Sequence, residues 1–171
     1  MSDSTLELIT HAMRAVREAG GTVSFDPNLR PSLYPSREQM VATINRLASL
    51  AHWVLPGLDE GRILSGCGAP DEIAAFHLQR GVETVVIKLG EQGAYYRTAH
   101  SQGVVPGVKV ERVVDTVGAG DGFAVGVISA RLEGLEWPAA LARGNWIGAQ
   151  AIQVIGDMEG LPYRRQLPAD R

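Results

Sequence analysis

The sequence has little cysteine, few aromatic residues and no long hydrophobic run. Cys67 is the one cysteine among 171 residues, which excludes an internal disulfide, and no Cys or His lies near it at metal-ligand spacing. No stretch reaches the roughly 18 apolar residues of a membrane span, and residues 1–5 lack the basic and apolar regions of a signal peptide. We therefore expect a cytoplasmic protein with no membrane partner.

Charge of either sign is also sparse and dispersed. The 16 Lys and Arg residues against 19 Asp and Glu residues give a net charge of −3 at pH 7. The basic residues form no patch of the kind that binds a nucleic acid, so we expect no nucleic-acid partner. A small anionic ligand would have to be held by a few local groups instead. With 45% hydrophobic residues, the composition is that of a globular domain with an apolar core.

Apolar spacing and capping patterns predict alternating helices and strands, which indicates an α/β fold with a mostly parallel sheet flanked by helices. The run 83–89 is almost continuously apolar, as in a strand covered on both faces, so we expect it to be the central strand. Hydroxyl caps are expected at Ser4 and Ser36. The predicted helices are 4–20, 36–50, 59–64, 70–80, 118–135 and 138–155, and the strands or hairpin pieces are 22–26, 52–55, 83–89, 93–97 and 104–114.

No internal repeat or linker divides this pattern. Residues 1–158 are therefore predicted to belong to one domain. Residues 159–171 contain two prolines and paired arginines, and we expect this segment to be a loosely ordered tail.

The strongest functional signal is the nonapeptide DTVGAGDGF at 115–123. Three glycines at a helix start let the backbone approach a ligand and leave amide N–H groups directed outward, where the helix dipole favours an anion such as phosphate. A carboxylate at Asp121 would repel that phosphate unless it served as the general base for an attacking alcohol. The amides of Gly118, Ala119 and Gly120 would then stabilise the transferred oxygens. The alternative is a helix cap at Asp121 and a tight glycine turn.

Other ligand motifs are absent from the sequence. A Walker A loop needs GxxxxGK followed by Ser or Thr, and a dinucleotide fingerprint needs a third glycine where this chain has Phe123. The four histidines lack metal-ligand spacing and are interpreted as surface or structural groups.

The nonapeptide resembles the C-terminal signature of the ribokinase-like (PfkB) carbohydrate kinases. KLGEQG at 88–93 resembles that family's KxGxxG turn beside the nucleotide phosphates, which implies nucleotide contacts by Lys88, Gly90 and Gly93. The resemblance further implies that Thr116 binds the nucleotide and that Asn145 lines the adenine pocket.

Two further segments carry the resemblance into the first half of the chain. Residues 55–60 occupy the place of the NxxE motif, with Gly57 in place of Asn, which implies that Glu60 organises Mg²⁺ indirectly through water. FDPNLRPSLY at 25–34 is similar to the DxNxRxxLW segment of 2-keto-3-deoxygluconate kinases. It implies that Arg30 holds a sugar-acid carboxylate or the phosphates and that Asn28 faces the nucleotide. A surface ion pair is the alternative for Arg30.

The resemblance implies a three-layer, ribokinase-like fold with Rossmann-like topology and an ATP-dependent phosphorylation of a sugar or sugar-acid hydroxyl. Asp121 would be the base and contact the substrate, with ATP and Mg²⁺ as cofactors and a monovalent cation as a further candidate. The similarity covers only the C-terminal half of the family pattern, without the N-terminal strands and β lid. We therefore expect an incomplete site in the isolated chain, with a homo-oligomer or a complementary N-terminal polypeptide as partner. The alternative is a nucleotide-binding remnant or truncated paralogue without catalysis.

Overall fold

The computed structural model describes residues 2–168, which fold as two compact units. The first unit contains the chain up to Ile87 together with Arg97–Gln102, and the second contains Lys88–Tyr96 and the chain from Gly103 onward. No helix within 2–168 has the length and apolar character needed to cross a bilayer.

Parallel strands and helices alternate in the first unit, as the sequence predicts. The parallel register pairs Ser24 with Trp53 and Trp53 with Thr84. The helices are α1 (Asp3–Glu18), α2 (Arg37–Ala48), α3 (Leu58–Ser65) and α4 (Pro70–Leu78), and the strands are β1 (Ser24–Phe25), β2 (Trp53–Val54) and β3 (Thr84–Lys88).

Side-chain hydroxyls begin the first two helices. The Ser36 hydroxyl accepts a hydrogen bond from the Gln39 amide at 3.2 Å, which confirms the predicted cap of α2. The cap predicted at Ser4 is wrong, because Ser2 has the extended conformation and its hydroxyl accepts from the Thr5 amide at 3.2 Å. Two hydroxyls lie two residues apart here, and only the backbone conformation decides which one is the cap.

Strand β3 is the most buried part of the first unit. Val85, Val86 and Ile87 are each 0% exposed, as expected for a strand covered on both faces. A separate apolar cluster joins Met40 and Ile44 of α2 to Leu64 of α3, and Phe25 and Leu29 pack against it. This cluster anchors the loop that follows β1.

The second unit contains two long helices and residues 94–96 and 103–105 of a β-hairpin, whose residues 97–102 belong to the first unit. The strands are neighbours joined by the short turn 98–101, so they run antiparallel. The strand predicted over 104–114 ends at Val105, because Pro106 has no N–H to donate to a strand ladder. The last helix ends at Ala151 instead of 155, and the Ile152 carbonyl then accepts from the Val114 amide at 2.8 Å. The elements are β4 (Ala94–Arg97), β5 (Gln102–Val105), α5 (Ala119–Leu132) and α6 (Trp137–Ala151).

The two helices of the second unit pack at backbone distance. A Cβ built on Gly126 of α5 would lie 2.6 Å from the Cα of Gly144 on α6, so only glycine fits there. The Arg143 side chain, 5% exposed, donates to the Glu133 carboxylate at 2.8 Å. That hydrogen bond is the main reason that the pKa of Glu133 lies below its usual range. Arg164 pairs with the other Glu133 oxygen at 3.0 Å, which attaches the described end of the chain to this helix pair.

Because His77 of α4 is buried, we expect the protein to lose stability at acid pH. The side chain is 1% exposed, and burial, assisted by the charge of Arg80, lowers the pKa of His77 to about 4 from a usual value near 6.5. As the pH falls, His77 therefore binds a proton near pH 6.5 in the unfolded chain but only near pH 4 in the folded chain. The contribution of neutral His77 to the free energy of unfolding should be fully present above pH 7. The free energy of unfolding should then fall by up to about 3 kcal/mol as the pH is lowered between these two pKa values. Urea unfolding at a series of pH values measures this slope.

The matched variants are His77→Gln, which should flatten the slope between pH 6.5 and 4, and His100→Gln at an exposed position, which should leave it unchanged. An unchanged slope in His77→Gln would assign the acid sensitivity to other groups.

Candidate active site

The start of α5 is a helix N-terminus with free backbone donors. Its N-cap, Gly118, has a φ of +76°, and a Cβ there would lie 2.5 Å from the Asp157 carbonyl oxygen. No side chain within residues 2–168 caps the helix, and its first internal bond runs from the Gly122 amide to the Gly118 carbonyl at 2.8 Å. The amides of Gly120 and Asp121 precede that bond and have no acceptor in the described chain, whereas the Ala119 amide makes a long bond of 3.4 Å to the Thr116 carbonyl. Such a terminus favours an anion.

The residues around this terminus set its shape. The Asp115 carboxylate accepts a hydrogen bond from the Val117 amide at 3.0 Å, which forms the turn before the helix and leaves Thr116 exposed. Asp121 is exposed in the first helical turn and makes no capping bond. The tight turn therefore depends on Asp115 and Gly118, while the Asp121 carboxylate is directed to solvent and is accessible to a ligand.

Lys88 adds a positive charge beside these amides. A Cβ built on Gly120 would lie 3.5 Å from the Lys88 Nζ atom, so the ammonium group is next to the first turn of α5. Gly120 does not have a positive φ, and a Cβ there would make only an ordinary contact with Lys88, so the glycine leaves open space beside the ammonium group. Gly90 and Gly93 belong to the turn after Lys88, which closes with the Leu89 amide donating to the Gly93 carbonyl at 2.8 Å.

Asn145 of α6 lies in the same unit but is only 8% exposed. Its Nδ2 donates to the carbonyls of Val105 and Pro106, at 3.1 and 3.0 Å. The structure thus places most of the predicted nucleotide-binding and catalytic residues in the second unit. These residues are Lys88, Gly90, Gly93, Thr116, Gly118, Ala119, Gly120, Asp121 and Asn145.

The other predicted residues, Asn28, Arg30 and Glu60, lie together in the first unit. Asn28 is exposed with a φ of +40°, and the exposed Arg30 forms no ion pair with any described residue. The Glu60 carboxylate accepts from the Leu29 amide at 2.7 Å and from the Gly57 amide at 2.8 Å. Glu60 therefore holds the loop that carries Asn28 and Arg30 against the start of α3.

The Leu29 contact of Glu60 is one that sequence reasoning did not find. Glu60 stands three residues after the N-cap Gly57, which is the spacing of a capping box, so its bond to the Gly57 amide could have been predicted. Its bond to Leu29 joins residues that are 31 positions apart in the sequence, so no local sequence pattern predicts it.

The second-unit site fits a polyphosphate, because it combines outward amides, an ammonium group and space at Gly120. Within residues 2–168 no group of three or more His, Cys, Asp or Glu side chains could hold a metal ion.

The fold, in which α5 begins at the left-handed N-cap Gly118, is that of a ribokinase-like protein. The chain belongs to the pfkB family of carbohydrate kinases, whose sequence profile matches residues 1–164. It is 55% identical over 157 residues to the 2-dehydro-3-deoxygluconokinase of Bacillus subtilis (strain 168), covering 92% of this chain and 48% of that protein. The chain thus spans about half the length of the curated relatives it matches.

Two solved structures show the same similarity. The PfkB protein from Polaromonas sp. JS666 superposes with a TM-score of 0.88 at 49% identity, covering 98% of this chain and 53% of that one. A ribokinase II from E. coli in complex with ATP and Mg²⁺ superposes with a TM-score of 0.86 at 33% identity, covering 95% of this chain and 52% of that one.

Glu60→Gln should release the loop that Glu60 holds. A glutamine has one acceptor oxygen and an NH₂ group that cannot accept, so one of the two amide bonds is lost. We expect a loss of about 1–3 kcal/mol in unfolding free energy and faster hydrogen exchange at the Leu29 or Gly57 amide, measured by NMR.

The matched control is Glu72→Gln, at the equivalent capping position of α4, where the carboxylate accepts only long bonds of 3.3 Å. Its effect should be smaller and confined to α4. Exchange at Leu29 and Gly57 that equals the parent protein's in Glu60→Gln would contradict the role assigned to Glu60.

Proposed function

We propose that this protein transfers the γ-phosphoryl group of ATP to a hydroxyl of a sugar or sugar acid, with a 2-keto-3-deoxygluconate-like acceptor. The observation that carries the proposal is the exposed Asp121 carboxylate in the first turn of a helix whose amides are directed outward, with the Lys88 ammonium beside them. A base and a phosphate site adjoin each other there, which is the arrangement that alcohol phosphorylation requires.

Each group has a role that follows from its chemistry. Asp121 accepts the proton of the attacking hydroxyl, which increases the nucleophilicity of that oxygen. The amides from Gly118 to Gly120 and the Lys88 ammonium stabilise negative charge on the transferred phosphoryl oxygens. A Mg²⁺ ion bound with ATP would neutralise charge on the phosphates. Thr116, Gly90 and Gly93 are proposed to contact the nucleotide, because they border the same helix start or the Lys88 turn.

The acceptor class rests on Arg30 and on the relatives. The planar guanidinium of Arg30 is exposed and suits bidentate binding of a sugar-acid carboxylate. The relative at 55% identity is a 2-dehydro-3-deoxygluconokinase, the name of an enzyme for a sugar acid of this kind. Asn28 is proposed to face the nucleotide, and Glu60 to influence Mg²⁺ through water while it holds the neighbouring loop.

A second candidate function is nucleotide binding without phosphoryl transfer. It is supported by the outward amides of α5 and the Lys88 ammonium, which would bind phosphates whether or not an acceptor hydroxyl is present. In that case, a second copy or a complementary polypeptide is the proposed partner.

Asp121→Asn tests the proposed base. The amide keeps the size of the side chain but cannot take the proton, so transfer from ATP to 2-keto-3-deoxygluconate should fall by about 10²- to 10⁴-fold while ATP affinity stays within about threefold. ADP release with and without the sugar acid measures transfer, and calorimetry measures ATP binding.

The control is Asp59→Asn, an exposed aspartate in the first turn of α3, which should retain full transfer. Undiminished transfer in Asp121→Asn would refute the assigned base. ATP binding by the parent chain, without transfer to any sugar acid or sugar offered, would support the second candidate function.

A further inference from the structure

We propose that Asn145 is a positioning residue for the groups that bind the phosphates of the nucleotide. The inference rests on the proposed nucleotide site of the second unit and deepens it. It follows a chain of contacts from α6 through the loop 105–107 and the turn 89–93 to Lys88.

The first step is that the side-chain NH₂ group of Asn145 is hydrogen-bonded to backbone carbonyls. It is 8% exposed, and its Nδ2 donates to the Val105 carbonyl at 3.1 Å and to the Pro106 carbonyl at 3.0 Å. A carboxamide NH₂ has two protons, so both are used. These bonds hold the chain where β5 ends and where Pro106 prevents a further strand bond. Asn145 therefore has no free proton, and Oδ1 is the one polar atom of its side chain that these bonds do not use.

The second step is a direct backbone contact between this loop and the Lys88 turn. A Cβ built on Gly93 would overlap the Val105 carbonyl oxygen and the Gly107 amide nitrogen, and a Cβ built on Gly107 would overlap the Glu91 carbonyl oxygen. No side chain separates the two segments. A displacement of the loop is consequently transmitted to the turn, because tightly packed atoms cannot absorb it.

The third step connects the turn to the phosphate site. The Leu89 amide donates to the Gly93 carbonyl at 2.8 Å, and the Gly93 amide donates to the Gly90 carbonyl at 3.0 Å. Lys88 immediately precedes this closed turn, and its Nζ lies beside Gly120 at the start of α5. Loss of the Asn145 bonds should therefore disturb the position of the Lys88 ammonium.

The test compares ATP with inorganic tripolyphosphate, which has the phosphates but no base. In Asn145→Ala, the affinities for both ligands should fall together by about tenfold, the loss expected when one buried hydrogen-bonded contact is removed. The matched control is Asn45→Ala, which removes a similar side-chain bond of 2.8 Å to the Leu64 carbonyl in the first unit. It should leave both affinities unchanged. Calorimetry of the full 171-residue chain with Mg²⁺ present gives the four comparisons.

A loss for ATP alone would mean that Asn145 contacts the base and would overturn the inference, as would unchanged binding of both ligands. Hydrogen exchange without ligand separates this result from a failure of the proposed function. The Leu89 and Gly93 amides should exchange faster in Asn145→Ala even if the parent chain binds neither ligand, and equal exchange would overturn the inference. If Asn145→Ala does not fold, Asn145→Ser, which retains one donor, provides the same comparisons.

Discussion

A single left-handed residue, Gly118, determines how α5 begins. Gly118 reverses the chain against the backbone of Asp157, where any side chain would overlap, and the helix therefore begins without a side-chain cap. The donors that most proteins satisfy internally are left for a ligand. The contact between Gly126 and Gly144 holds α5 on α6 at backbone distance, so the position of these donors is fixed by packing and not by the loop alone.

Buried or capping polar side chains support the candidate site residues in both units. Glu60 accepts two backbone amides and holds the loop of Asn28 and Arg30, while Asn145 donates to two backbone carbonyls and holds the loop after β5. In each case a polar side chain satisfies backbone groups that an irregular segment would otherwise leave without partners. Glu60 and Asn145, which the family resemblance associates with ligands, thus form hydrogen bonds with the backbone of their own chain.

Local patterns in the sequence were sufficient for most elements and for the helix start at Gly118. The cap at Ser36 and the continuous apolar run of β3 are short-range signals, and both are confirmed. The capping pattern pointed to Ser4 where the structure uses Ser2, and of the strand pieces predicted over 104–114, interrupted at Pro106, only the part up to Val105 is a strand. The partners of Glu60 and Asn145 lie 31 to 40 residues away. Such contacts depend on tertiary packing, which periodicity does not report.

The first turn of α5 and Lys88 are proposed to bind the phosphates of ATP. The most direct measurement is a titration of the ¹⁵N-labelled chain with MgATP and with tripolyphosphate, followed through the backbone amide shifts. Both ligands should move the amides of Ala119, Gly120 and Asp121 most strongly, with smaller changes in the turn 89–93. Shifts concentrated at other residues, with the start of α5 unmoved at saturation, would contradict the account.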